Sequence, residues 1–127
     1  MGQRSILVID DQDEFCMALK ETLAIAGYRA VAVANARDAD KAVAQGQFDL
    51  VLTDLLMPDR DGLEVITQLR TSNPDLPVIA MSGGGRMAAD DYLTLARALG
   101  AKAILEKPFT SEELLTTIAA VLAGRIC

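Results

Sequence analysis

Five short apolar runs, each followed by a stretch with helical spacing, leave this chain few folds to choose from. The runs cover about residues 5–10, 28–34, 48–54, 77–82 and 102–105. Each has the length of a buried strand and is too short to stand as a helix. Between them the apolar residues return at helical intervals. Phe15, Leu19, Leu23 and Ala26 line one face over about 13–26, and Leu63, Ile66 and Leu69 do the same over about 61–72. Near the end, Leu114, Leu115, Ile118, Val121 and Leu122 form a core-facing stripe. Strand and helix in alternation predict repeated βα units around a parallel sheet.

Local stop and start signals agree with these limits. Gly27 suits the C-terminal stop of the first helix. Asn35 is a good N-cap for a second helix ending near Gly46. Thr110, with Glu113 three residues on, makes a capping box for the last one. A further helix is expected over about 87–99, after the glycines at 83–85. Five strands and five helices account for all 127 residues and leave no linker or repeat for a second unit. The expected architecture is one α/β domain over 1–127 with a doubly wound, five-stranded parallel sheet.

Composition narrows the partners. A net charge of −6, without any Lys/Arg run, argues against a nucleic-acid surface. The first apolar run ends in two aspartates, so it predicts neither a signal sequence nor a membrane span. Two cysteines, Cys16 and Cys127, are expected as free thiols of a soluble, cytoplasmic protein.

The charged residues carry the chemistry. In a parallel α/β sheet the strand carboxyl ends share one edge, and ligands bind in the crevice there. Asp10 and Asp11, Asp54, and Lys107 stand at the ends of the first, third and fifth runs. They are therefore expected in one crevice. Two carboxylates 4 Å apart repel by about 4 kcal/mol at an effective dielectric near 20, so the cluster calls for a cation. Mg2+ takes oxygen ligands and keeps several waters, so one or two carboxylates suffice to hold it. A divalent cation and an ammonium together point to phosphoryl chemistry. Singly, each residue has a plainer explanation. Asp54 could cap the following loop, Asp10 or Asp11 could cap the helix that begins near Asp13, and Lys107 could reach from a strand end into solvent. Ser82 could be a turn residue.

Taken together, the motifs support a family resemblance. Ile9-Asp10-Asp11, the stretch Thr-Asp-Leu-Leu-Met-Pro-Asp at 53–59, Gly62, Met81-Ser82-Gly83 and Lys107-Pro108-Phe109 follow one another in order. With them the chain resembles the receiver domains of two-component response regulators over essentially its full length. The single-domain chemotaxis-type regulators are nearest in size. The resemblance implies a flavodoxin-like (βα)5 fold with strand order 2-1-3-4-5. It implies Asp54 as the phosphoacceptor, with Asp11 and Asp54 ligating Mg2+, Asp10 acting through water, and the Leu56 carbonyl completing the protein's share. Lys107 would pair with Asp54 at rest and with a phosphoryl oxygen after transfer, and a cis Lys107–Pro108 bond would aim it inward. The Ser82 hydroxyl would hydrogen-bond the new phosphoryl group, while Thr53 faces away.

The chain contains no histidine, so the phosphoryl donor is expected to be a histidine kinase or a histidine phosphotransfer protein. The resemblance makes this a bacterial signalling protein that promotes only its own phosphorylation and dephosphorylation. An output protein would bind the face formed by the last two helices and the fifth strand. Two departures bear on that output. Ile104 stands three residues before the lysine, where receivers usually carry a switching aromatic, and the span from Ser82 to Lys107 is longer than expected by about the three glycines. Leu56 and Gly84 offer no polar group to orient water, which implies slow self-dephosphorylation. Two other readings remain. One is the receiver portion of a longer DNA-binding or enzymatic regulator. The other is a haloacid-dehalogenase-type phosphatase, which would want its Asp nucleophile after the first strand.

Overall fold

The structure is a computed structural model that describes residues 3–55, 62–82, 94, 97, 98 and 100–124. Five parallel strands lie in the order β2-β1-β3-β4-β5. They are β1 (Ser5–Ile9), β2 (Arg29–Val33), β3 (Leu50–Asp54), β4 (Val78–Ser82) and β5 (Ala103–Glu106). The helices are α1 (Asp13–Ile25), α2 (Ala36–Gln45), α3 (Gly62–Ser72) and α4 (Ser111–Leu122). The expected strand order and alternation are both present. The helix expected over about 87–99 lies almost wholly outside the described residues, although Thr94, Arg97 and Ala98 are helical.

The apolar runs are continuous because the sheet is covered on both sides. Ile6, Leu7, Val8 and Ile9 are all fully buried, yet they feed two separate cores. Ile6 and Val8, with Leu50, Leu52, Ile79, Met81, Ala103 and Leu105, pack against Cys16, Leu19 and Leu23 of α1 and Leu114, Ile118 and Val121 of α4. Leu7 and Ile9, with Val51, Val78 and Ala80, pack against Ala36 and Ala39 of α2 and Val65, Ile66 and Leu69 of α3. Successive strand residues point to opposite faces, so the parity of a position decides which core it joins. Ile104 is half-buried against the second core.

Helix ends follow the sequence signals. The Asn35 side chain accepts the Asp38 amide at 2.8 Å. Thr110 and Glu113 complete the capping box in both directions, at 3.0 and 3.2 Å. Gly27, with φ of +97°, turns the chain after α1 in a conformation that only glycine adopts readily.

Candidate functional site

Strand parity and register together build the site. Ile9 lies opposite Thr53, so the next residues, Asp10 and Asp54, come level at the carboxyl edge. Asp10 continues the parity of Ile6 and Val8, Asp54 that of Leu50 and Leu52, and Lys107 that of Ala103 and Leu105. All three belong to the face covered by α1 and α4. Ser82 carries the parity of Val78 and Ala80, on the other face, and ends β4 beside β3. Thr53 is also on that other face, as expected. It is fully buried, and its hydroxyl donates to the Asp54 carbonyl at 3.1 Å.

One carboxylate oxygen from each of Asp10, Asp11 and Asp54 falls within 4.8 Å of the others. Asp10 is fully buried, Asp54 is 6% exposed, and Asp11 is open to solvent. Lys107 neutralises part of this charge. Its Nζ stands 2.7 Å from Asp10 Oδ2 and 3.7 Å from Asp54 Oδ2. The lysine was expected to pair with Asp54, and it does, but its closer partner is Asp10. The Lys107–Pro108 bond is cis, as the resemblance implied.

The capping explanation for the two aspartates does not hold. The N-cap of α1 is Gln12, which makes no side-chain cap. Asp10 Oδ1 instead accepts the Gln12 amide at 2.9 Å, one residue ahead of the helix. Further bonds fix the surrounding backbone. The Asp10 amide donates to the Val33 carbonyl at 3.1 Å, and the Lys107 amide donates to the Ser82 carbonyl at 2.7 Å. The buried Cys16 thiol donates to the Asp10 carbonyl at 3.2 Å. Burial, reinforced by the negative charges of Asp10 and Asp13, pushes that thiol up to about 11.

Sequence reasoning placed Phe15 on the core face of the first helix and no further. In the structure the Lys107 ammonium lies 4.3 Å from the centre of the Phe15 ring, and Phe109 meets that ring edge-on at 5.8 Å. The Leu56 carbonyl, the loop at 56–61 and the glycines at 83–85 lie outside the described residues.

The response regulator receiver domain family matches residues 6–119. The chain belongs to that family. The receiver is 37% identical over 125 residues to the DNA-binding transcriptional regulator NtrC of Bradyrhizobium sp. (strain RP501 Parasponia), covering 97% of this chain and 25% of NtrC. It is 36% identical over 119 residues to the response regulator MprA of Mycolicibacterium vanbaalenii, covering 92% of this chain and 49% of MprA. Among solved structures, a CheY-like receiver domain protein from Methanospirillum hungatei JF-1 superposes with a TM-score of 0.89 at 25% identity, over 97% of this chain and 96% of that one. The chain thus spans between a quarter and a half of the length of these two curated relatives. The family consists of receiver domains of signalling regulators and is not a family of metabolic enzymes, which removes the dehalogenase-type reading. No helix among the described residues is long and apolar enough to cross a membrane.

Proposed function

We propose that this receiver accepts a phosphoryl group on Asp54 from a phosphohistidine of a partner kinase or phosphotransfer protein, and that the phosphorylated state changes what the protein binds. The supporting observation is the placement of Asp54, a nearly buried carboxylate at a strand end with an ammonium 3.7 Å away and two further carboxylates beside it. In the transfer, an Asp54 oxygen attacks phosphorus. The new O–P bond forms as the P–N bond to the donor imidazole breaks, and the imidazole leaves with the bond's electron pair. Lys107 holds positive charge beside the oxygens that gain negative charge, where a preset cation lowers the barrier most. Ser82, at the end of the adjacent strand, supplies a hydroxyl for the transferred group.

The donor set fits Mg2+, because three clustered carboxylates offer only oxygen. Asp10, Asp11 and Asp54 would hold it with the Leu56 carbonyl, and the ion would neutralise the acidic pocket and the incoming phosphoryl oxygens. An acyl-phosphate is itself reactive, so Asp54 returns to a free carboxylate by hydrolysis. We place the protein in the cytoplasm, acting as a single receiver domain over 1–127. An output partner would bind through the face to which β5 and α4 contribute; the helix expected over about 87–99 beside them lies almost wholly outside the described residues. The share of NtrC that this chain matches supports a second reading, in which it serves as the receiver portion of a longer regulator.

The test is intact-mass measurement with a small acyl-phosphate donor and Mg2+, on wild type and Asp54→Asn. The expected result is one added phosphoryl group on wild type and none on the variant. A gain in both proteins, or in neither, removes the assignment.

A further inference from the structure

Phe15 lies in the first turn of α1, yet its ring face serves the ammonium of a residue that follows β5. We propose that Phe15 is a positioning residue for phosphoryl transfer, its ring holding the Lys107 ammonium at the mouth of the acidic pocket. This inference rests on Asp54 being the phosphoacceptor.

The ammonium has three sides accounted for. Asp10 Oδ2 takes it at 2.7 Å, Asp54 Oδ2 lies at 3.7 Å, and the Phe15 ring centre lies at 4.3 Å. A lysine carries its charge on four rotatable carbons and has no fixed fork to orient it. The Asp54 side of this anchor changes during transfer, because its carboxylate becomes an acyl-phosphate and the negative charge moves out to the phosphoryl oxygens. An aromatic face attracts a cation through its quadrupole, and that attraction is the same before and after transfer. It also occupies no carboxylate oxygen, which leaves those of Asp54 available for attack.

The ring is itself braced. Phe109 meets it edge-on, with an interplanar angle of 76°, an arrangement that aromatic pairs favour. Both rings are half-buried against the core beneath α1 and α4. Lys107 and Phe109 flank Pro108, so one short segment supplies the ammonium and the ring that steadies its support. The position of the charge is thus set by α1 as well as by β5.

The experiment compares wild type with Phe15→Leu, Phe15→Tyr and a protein carrying pentafluorophenylalanine at position 15. The fluorinated ring keeps nearly the contour of phenylalanine but reverses the sign of its face. Two quantities are read. One is the rate of phosphorylation by a small acyl-phosphate against donor concentration, with Mg2+ present. The other is the nuclear magnetic resonance signal of the Lys107 ε-methylene in metal-free buffer, which reports the ring contact whether or not the protein is phosphorylated.

The leucine and fluorinated proteins are expected to lose about five- to tenfold in limiting rate, with the half-saturating donor concentration unchanged. Tyrosine should stay within about twofold of wild type, since its ring keeps a negative face. The ε-methylene signal should move in the leucine and fluorinated proteins and hold in the tyrosine variant. A fluorinated protein as fast as wild type would overturn the proposal, even if leucine were slow, because packing alone would then explain the ring. Equal rates in all four proteins would overturn it as well. A wild type that gains no phosphoryl group would instead defeat the Asp54 assignment, and the resonance comparison would still decide whether the ring holds the ammonium.

Discussion

Lys107→Met removes the ammonium while keeping a stem of similar length against Phe15, so it isolates the charge. In wild type Asp10 is fully buried, and its two oxygens take the Gln12 amide at 2.9 Å and the Lys107 ammonium at 2.7 Å. Asp54 stands within 4.8 Å. At that separation two carboxylates repel by about 3.5 kcal/mol at an effective dielectric near 20, and the lysine attracts each of them by a comparable or larger amount. Without the lysine, the buried pair keeps its repulsion and loses its counterion. Breaking a buried ion pair from one side costs about 3–5 kcal/mol. We therefore expect a loss of about 3 kcal/mol in metal-free buffer at pH 7. For a domain of this size that lowers Tm by about 10 °C. Thermal denaturation followed by circular dichroism in EDTA measures it. Mg2+ should raise Tm more in the variant than in wild type, since the pocket has lost the lysine's positive charge. A drop under about 3 °C, or a Tm that Mg2+ raises no more in the variant than in wild type, would refute the electrostatic argument.

Two further outcomes follow from described contacts. Thr110→Ala removes the side-chain half of the capping box at α4 and should cost about 1 kcal/mol in urea denaturation, with an unchanged m value. The Cys16 thiol, raised from 9.0 to about 11, should alkylate at pH 8 about a hundredfold more slowly in the folded protein than in the unfolded chain, as mass analysis of its peptide would show. Because the folded value is the higher one, burial of the neutral thiol contributes stability that is complete below pH 9 and declines as pH rises toward 11.

Most of the fold was legible because parallel α/β sheets write themselves plainly. Runs such as Ser5–Ile9 and Val78–Ser82 are too short for helices and too apolar for anything but a sheet covered on both faces. Asn35, Thr110 and Gly27 then fixed the ends of elements through local chemistry that needs no distant partner. The meeting of Asp10, Asp54 and Lys107 was legible for a different reason, since any parallel sheet gathers its strand ends along one edge.

Other features depended on distances that periodicity does not contain. β3 and β4 lie between β1 and β5, and nothing in the spacing says that Lys107 reaches past Asp54 to Asp10. The ring contact with Phe15 is of the same kind. Its apolar character satisfied the helix pattern completely, and only the neighbouring Phe109 hinted at an aromatic cluster near the lysine.

The division of the sheet into two cores by residue parity gives the site a built-in proofreading property. Asp54 reaches the pocket only because it shares the parity of Leu50 and Leu52, while Thr53 and Val51 face the other core. A slip of β3 by one residue would turn every side chain over. Asp54 would then enter the apolar layer against α2 and α3, and Thr53 would take its place beside Asp10. Such a chain would lose its core and its chemistry together. In a copy with β3 slipped in this way, the carboxylate cluster and the two cores would be lost by the same error.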